Sequence, residues 1–413
     1  MEKRFQLDTK ENAAYLQELG EELLKFGVHF PAPSGASYYL GSDGAPMQER
    51  PLETWITCRM AHTYCLGRAM GFEGSEGLID QALRGIRTIL HDDRNGGWYP
   101  GITADGKHLP EKQCYAHAFV ILAAASALLN ERPGAAELLK EAEEVFLAKF
   151  WDEEEGLSRD TWNTEFTELS TYRGLNANMH SVEAFLAVAD VTGEEVWRQR
   201  AGRIIAHVLN WAEGNAWRIP EHFTEEWKAD LSFNREKPDD PFKPYGATPG
   251  HGIEWARLIT QWAYSTYREE EKRRPYVEKA CRLYEQAVKD GWNADGEKGI
   301  VYTTDWDGTP VVHDRMHWTL AEAINTSAVL FHVTGDRKYA EDYAGYLQYL
   351  EETVRDPVHG SWYHQLDEHN RLKETVWPGK SDLYHALQST LIPRLDPSVS
   401  VAVAAKKGLW WKE

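Results

Sequence analysis

The sequence predicts an all-α fold, a single (α/α)6 barrel over residues 1–413, with short hairpins and loops at its mouth. One pattern recurs six times, in which a polar, histidine-bearing start leads into an apolar helix rich in small residues. Charged stretches with one apolar face alternate with these segments and predict surface helices. Because no Pro/Gly/Ser-rich linker divides the chain, the alternation favours one closed ring of inner and outer helices.

The six apolar segments predict the inner helices, since a helix with neighbours on several sides favours Ala and Gly. They are 54–71, 114–129, 176–193, 250–266, 317–335 and 381–393. Each carries a histidine near its start: His62, His117, His180, His251, His317 and His385. Because these starts face one mouth of the toroid, we expect the six histidines to line a common funnel.

The charged stretches predict the outer helices, each with its apolar face towards the ring. They are 9–26, 75–91, 134–149, 194–213, 275–291 and 336–355. Turn-rich aromatic segments follow most of them, among them NGGWYP (95–100), GIVYTTDWDG (299–308) and HGSWYHQLDEHN (359–370). Gly, Asn and aromatic residues in this pattern predict short hairpins or loops.

The composition excludes several classes of partner. With 45 basic and 65 acidic residues the net charge is −20, which disfavours nucleic acid and anionic membranes as partners. The longest apolar stretch, 118–129, is too short to span a bilayer. The charged N-terminus lacks a signal-peptide core, and four cysteines without a CxxC pair fit free thiols in a reducing compartment. We therefore expect a cytoplasmic protein; a homo-oligomer is left open.

The segment GATPGHGIEW (246–255) holds the first candidate for proton transfer. Pro249 and Gly250 interrupt the chain, so His251 falls in a first helical turn and Glu254 shares its face. A carboxylate that binds an imidazole raises its basicity, as proton transfer requires, and we expect Glu254 to do so. His180 and Glu183 have the same spacing. Metal is not favoured, because HxxEH is absent and the di-iron motif of bundles has the opposite order.

The second candidate is His385 in KSDLYHAL, which opens the last inner helix. Ring closure brings that helix beside the first, so we expect His385 near Trp55, Arg59 and His62. An arginine on an inward, apolar face needs a partner. Glu322 across the barrel, or a hydroxyl-rich or anionic ligand, would provide one.

Further polar groups gather at the same helix starts. Asn176, Asn178 and His180 form NxNxxH, and we expect at least one of the asparagines to be an N-cap. Glu322 follows Trp318 on the fifth inner helix. Amides, carboxylates and tryptophans that converge with histidines suit sugar hydroxyls. The sequence contains no phosphate loop, GxSxG elbow or dinucleotide fingerprint.

The segments RMAHTY, GGWY, NANMHSVEAFL, TPGHGIEWARL and VWPGKSDLYH resemble the N-acylglucosamine 2-epimerase superfamily, over nearly the whole chain and most closely its mannose and sulfoquinovose isomerase branch. The resemblance implies an (α/α)6 barrel, a free monosaccharide substrate, and isomerisation without metal or cofactor. It implies site residues at Arg59, Tyr115, Asn176, His180, His251, Glu254, Glu322 and His385. Of these, His251 and His385 correspond to the general acid/base pair. Trp55 and Trp318, on the same helix faces, complete the expected substrate-binding set.

Within that branch, the resemblance implies that sulfoquinovose enzymes hold the sulfonate with an arginine upstream of TPGH and a glutamine after GSW. Here Pro241 and His364 occupy those places, with Lys243 nearby. The departure favours a neutral hexose, and hence interconversion of D-mannose and D-fructose through a cis-enediolate. A 2-epimerase or sulfoquinovose isomerase of the same superfamily remains the alternative. An (α/α)6 glycoside hydrolase that uses Glu254 and Glu322, or a binding protein without catalysis, is less favoured.

Overall fold

In residues 2–411, which a computed structural model of the chain describes, helices alternate between an inner and an outer ring. The inner helices are α2 (Thr54–Ala69), α4 (Cys114–Leu129), α6 (Leu175–Thr192), α8 (Pro249–Thr266), α10 (His317–Thr334) and α12 (Leu383–Leu391). The outer helices are α1 (Lys10–Gly27), α3 (Ser75–Arg87), α5 (Ala135–Lys149), α7 (Glu195–Gly214), α9 (Glu270–Gly291) and α11 (Arg337–Tyr349). Each inner helix packs against the next, and α12 packs against α2, so the ring closes. The predicted (α/α)6 barrel is confirmed.

Burial separates the two kinds of helix as the sequence predicts. Every residue of α4 from Ala116 to Ala127 is buried, whereas α3 buries one stripe that includes Ile79, Leu83 and Ile86. Small residues let the inner helices approach closely. A Cβ at Gly250 would lie 2.6 Å from a Thr319 methyl carbon, so α8 can meet α10 there only with glycine.

Two inner-ring features differ from the sequence prediction near the C-terminus. Helix α12 is only nine residues long, because Pro393 turns its end into the short 3₁₀ segment Ile392–Arg394. A further helix, α13 (Val401–Lys407), was not predicted. It packs against α2, α4, α6 and α12 and closes the end of the barrel opposite the helix starts. Outside the rings lie the 3₁₀ helix Lys3–Phe5 and a π-helical turn, Leu350–Val354, after α11.

Short antiparallel strand pairs join the repeats at the mouth. The pairs are Tyr39–Leu40 with Pro46–Met47, Leu52–Glu53 with Gly101–Ile102, Lys112–Gln113 with Thr161–Trp162, Trp151–Asp152 with Leu157–Ser158, Arg173–Gly174 with His222–Phe223, Thr303–Thr304 with Pro310–Val312, and Arg315–Met316 with Gln365–Leu366. Helices α2, α4, α6 and α10 each begin directly after one of these strands. The pairs therefore fix the positions of the helix starts, where the candidate site lies.

Two further expectations can be compared with residues 2–411. None of their helices has the length and apolarity needed to cross a bilayer. All four cysteines are free thiols, and Cys58, Cys65 and Cys114 are buried in the inner ring.

Candidate active site

The six recurring histidines do not share one funnel, so that prediction is wrong for two of them. His117 faces outward: its Nδ1–H donates to the Gln113 carbonyl (2.7 Å) and its Nε2 accepts from the Trp98 amide (3.1 Å). Burial lowers the pKa of His117 to about 3, as suits a neutral structural residue. His62 lies two turns into α2, where its Nδ1 contacts the Ser126 hydroxyl at 2.7 Å.

His251 is the third residue of α8 and contacts a carboxylate that the sequence did not indicate. Pro249 opens the helix, a position for which its fixed φ is suited. The Nδ1 atom of His251 lies 3.0 Å from the Glu221 carboxylate, at the strand pair that joins α6 and α8. Glu254 does not bind His251, which corrects the prediction. Its carboxyl turns instead towards Arg257, with 3.5 Å between Oε1 and Nη2.

His385 is also the third residue of its helix, and its Nδ1 also contacts a carboxylate. Glu322 Oε1 lies 3.1 Å from that nitrogen, and Arg257 Nε donates to Glu322 Oε2 at 2.7 Å. The three side chains are at most 4% exposed. Burial by itself would raise the pKa of Glu322, but the Arg257 charge and the His385 hydrogen bond lower it overall.

Arg59 has a buried partner, but it is not Glu322. Its Nη1 donates to Asp382 at 2.6 Å and its Nη2 donates to the Tyr115 hydroxyl at 3.0 Å. Asp382 also caps α12 by accepting from the Tyr384 amide. Although burial opposes ionisation of Asp382, Arg59 and nearby histidines hold its pKa well below the usual range. The expected Arg59–Glu322 pair is therefore wrong, because the helix cap supplies the anion closer by.

His180 and Glu183 pair as predicted, with 3.6 Å between Nδ1 and Oε2. Burial lowers the pKa of His180 to about 4 despite the stabilising Glu183 charge, so the imidazole is neutral at pH 7. Glu183 also accepts from the Tyr384 hydroxyl. The Tyr115 ring packs edge-on to His180, with 5.2 Å between ring centroids.

The two asparagines of NxNxxH have different surroundings, and neither caps α6, whose N-cap is Gly174. Asn178 instead bonds the Ser158 backbone through both side-chain atoms, at 2.8 and 3.0 Å. The Oδ1 atom of Asn176 is buried without a hydrogen-bond partner among the described residues. A buried amide oxygen of this kind favours a bound donor such as a hydroxyl.

Tryptophans form one wall and part of the rim. The ring of Trp318 lies 5.0 Å from that of His251 and 5.9 Å from that of His385, so both imidazoles flank one indole. Trp55 donates to Glu53 at 2.9 Å and packs against Trp377 and Phe242. Sequence reasoning missed Trp377 and Phe242, because both come from loops rather than from the repeated helix starts.

One group of acidic and histidine side chains in residues 2–411 has spacing compatible with a metal ion. Glu254, Glu322 and His385 each bring one ligand atom within 4.8 Å of the others. Both Glu322 oxygens already accept hydrogen bonds, however, and the Arg257 guanidinium supplies the positive charge beside them. Burial and the neighbouring carboxylates also raise the pKa of Glu254, which favours its protonated form. The geometry therefore fits a hydrogen-bonded network better than a coordination sphere.

Comparison with known proteins by sequence gives the family. The family model for N-acylglucosamine 2-epimerase (GlcNAc 2-epimerase) matches residues 35–389. The D-mannose isomerase of Thermobifida fusca is 40% identical over 95% of this chain and 96% of its own. That of Pseudomonas cannabina pv. alisalensis is 42% identical over 85% of each.

Solved structures agree at the level of the fold. A crystal structure of D-mannose isomerase matches with a TM-score of 0.86 and 24% identity, over 94% of this chain and 98% of that one. Cellobiose 2-epimerase from Bacillus thermoamylovorans matches with a TM-score of 0.77 and 18% identity, over 91% and 98%. The family model over residues 35–389 and the two relatives with at least 40% identity show that the chain belongs to the N-acylglucosamine 2-epimerase family.

Proposed function

We propose that the protein is an aldose–ketose isomerase that interconverts D-mannose and D-fructose. The observation that carries the proposal is the pair of histidine–carboxylate dyads, His251–Glu221 and His385–Glu322, on either side of Trp318. Two D-mannose isomerases with about 40% identity over most of the chain support the substrate. A sugar ring stacked on the indole would present its reacting carbons to both imidazoles.

The proposed chemistry uses each histidine through Nε2, because Nδ1 is held by its carboxylate. His251, protonated on Nε2, gives this proton to the ring oxygen while the anomeric hydroxyl releases its own proton to water, and the ring opens. His385 then takes the C2 proton, a proton moves from O2 to O1, and the resulting cis-enediolate receives the proton of His385 at C1. Arg59 and Tyr115 lie beside this path and would stabilise the enediolate oxygens.

The remaining site residues are proposed to hold the substrate. The unpartnered amide oxygen of Asn176 and the neutral imidazole of His180 are suited to sugar hydroxyls. Trp55 and Trp318 offer apolar faces, while Glu254 and Glu322 support the network at the base of the site. We propose no metal or cofactor, since the carbonyl of the substrate itself acidifies the C2 proton. Activity should therefore survive exhaustive treatment with EDTA.

A neutral hexose is favoured by the side chains at the three positions where a sulfonate would be expected to bind. Pro241 offers no cation, and the Lys243 ammonium lies 3.9 Å from the centroid of the Tyr172 ring. His364 is buried and accepts from the Asp382 amide, and burial lowers its pKa to about 4. Neither Pro241 nor His364 therefore presents a positive charge to a sulfonate, and the one cation of the three positions, Lys243, is stacked on Tyr172.

The wider setting is also a proposal. We propose that residues 1–413 act as one catalytic domain in the cytoplasm, on a free monosaccharide and without nucleic acid. The acidic net charge and the free thiols favour this interpretation. Oligomeric state is left to sedimentation measurements.

The test is incubation with a panel of free aldoses, ketoses and sulfoquinovose, with products separated by chromatography. We expect fructose from mannose as the main conversion. Glucose from mannose without fructose would establish a 2-epimerase instead, and preferential turnover of sulfoquinovose would overturn the neutral-hexose proposal. No turnover of any free sugar, or cleavage of a glycoside, would overturn the isomerase proposal itself.

A further inference from the structure

Arg257 lies beneath the site, where neither the repeated motifs nor the resemblance assigns it a role. It is two turns along α8 from His251, and its side chain is 4% exposed. Its Nε donates to Glu322 at 2.7 Å, and the other oxygen of Glu322 contacts His385 Nδ1 at 3.1 Å. Arg257, Glu322 and His385 thus form one buried chain, which we call the Arg257 relay.

The charges around Glu322 make Arg257 its main counter-ion. The groups that face Glu322 are Arg257 and Glu254 from α8 and His385 from α12. Asn325, on the same helix, donates weakly at 3.5 Å. Arg257 lies 2.7 Å from Glu322 and 3.5 Å from Glu254, so its shorter ion pair is the one with Glu322. Burial and the Glu322 charge raise the pKa of Glu254. Without Arg257, Glu322 would be a buried carboxylate among acidic neighbours.

We infer that Arg257 is a positioning residue: it keeps Glu322 ionised and turned towards His385, and so holds the His385 proton on Nδ1 and its lone pair on Nε2. The inference rests on the proposed isomerase function, because a base at Nε2 is what C2 deprotonation requires. Arg257 touches neither substrate nor reacting atoms and acts only through Glu322.

The chemical reason is the number of protons on the Glu322–His385 pair. An ionised Glu322 can only accept, so a neutral His385 must donate from Nδ1 and keeps Nε2 free. One additional proton gives either imidazolium with carboxylate or neutral imidazole with carboxylic acid. In both forms Nε2 carries a proton and cannot act as a base. A buried cation at 2.7 Å disfavours that additional proton.

The first test is the pH profile of kcat/KM for Arg257→Met, which removes the charge at similar volume, beside Arg257→Lys, which keeps it. We expect the acidic limb to move upward by about 1–3 pH units in the methionine variant, the usual effect of an adjacent arginine on a carboxyl group. Activity should recover towards high pH, and the lysine variant should shift less. A uniform loss at every pH, without a moved limb, would overturn the inference.

The second test adds Glu322→Gln. If Arg257 acts through Glu322, the double variant should be no slower than Glu322→Gln alone. Losses that multiply would show that Arg257 acts by another route.

The third test is a measurement on the wild-type protein, and the only variant it requires is one that assigns the NMR signal. Nitrogen-15 NMR of the imidazoles, with His385→Gln for assignment, should show His385 in the wild-type protein protonated on Nδ1 at neutral pH. Protonation on Nε2 instead would overturn the inference. Because this readout does not depend on turnover, it can overturn the inference even if the wild-type protein fails to isomerise mannose and the proposed function fails.

Discussion

The two histidine–carboxylate dyads have the same local geometry at two different depths. His251 is 9% exposed and pairs with Glu221, which immediately precedes the strand His222–Phe223 at the mouth, whereas His385 is 3% exposed and pairs with Glu322 inside the ring. Only the deeper dyad continues to a guanidinium, since no arginine lies within ion-pair distance of Glu221 in residues 2–411. The same histidine–carboxylate pair thus occurs in two environments, one closer to water and one shielded from it.

That difference favours different chemical tasks. A shielded base suits carbon deprotonation, because fixed charges act more strongly where water is excluded. A more exposed histidine suits proton exchange at oxygen, where water can restore its protonation state. The comparison supports His385 as the base at C2 and His251 as the acid at the ring oxygen.

The largest expected effect is that of His385→Ala. Loss of a general base typically lowers the rate by about 10²–10⁴-fold, and we expect a fall of that size in mannose isomerisation. The measurement is initial-rate kinetics, with circular dichroism to show that the fold persists. More than about a tenth of wild-type activity would mean that His385 is not the base.

His117→Ala is the matched control. Like His385, His117 is a buried histidine of the recurring pattern, but it lies outside the site. The substitution leaves the buried Trp98 amide without its partner, at a cost of roughly 1–3 kcal/mol. We expect a lower midpoint in urea unfolding and nearly unchanged kcat. Loss of kcat with unchanged stability would place His117 in the chemistry.

Deuterium separates the two dyads where turnover alone does not. In D₂O, fructose formed by the wild-type protein should carry some deuterium at C1, and recovered mannose should gain it at C2. His251→Ala should lose turnover of the closed sugar, by about 10²–10⁴-fold, yet keep slow C2 exchange in open-chain substrate. Exchange that disappears with His251 and survives in His385→Ala would reverse the assigned roles. A complete absence of label in the wild-type product would favour an internal hydride shift.

Glu322→Gln should have a smaller effect than loss of either histidine. Carboxylates that orient metal-binding histidines contribute about 10–100-fold, and we expect the upper end here. The reason is that the substitution removes the carboxylate that lies 2.7 Å from the buried Arg257 guanidinium, and with it the anion that supports the His385 imidazolium. Steady-state kinetics should show the loss mainly in kcat. A change confined to KM would indicate that Glu322 holds substrate rather than the base.

The ring was predictable because it depends on a local pattern, whereas the partners within the site depend on closure of the ring. Each repeat by itself shows the alternation of one apolar helix with one charged helix. The observed bounds of these helices lie close to the predicted ones. Spacing along a helix found His180–Glu183 but selected Glu254 for His251, where the structure has Glu221. No helical periodicity connects residues 221 and 251, since Glu221 precedes the strand His222–Phe223 and His251 lies in the first turn of α8.

Arg257 and Asp382 illustrate the same limit. Arg257 stands in TPGHGIEWARL as one charged residue of an inner helix, and its role becomes visible only when α10 brings Glu322 beside it. Asp382 lies three residues before His385 in the sequence, yet its charge serves Arg59 across the α12–α2 junction. The pattern thus locates the residues, and three-dimensional packing decides which of them pair.

The smallest expected effect, and the sharpest test of the difference between the dyads, is that of Glu221→Gln. The amide oxygen can still accept from His251 Nδ1, and no buried guanidinium is left without a partner. We therefore expect a loss of only about tenfold in kcat, the lower end of the range for orienting carboxylates. The measurement compares Glu221→Gln and Glu322→Gln under the same conditions, with C2 deuterium exchange as the second readout. Exchange should be nearly normal in Glu221→Gln and strongly slowed in Glu322→Gln. Equal losses of both activities in the two variants would mean that the deeper position and the Arg257 relay give His385 no separate role.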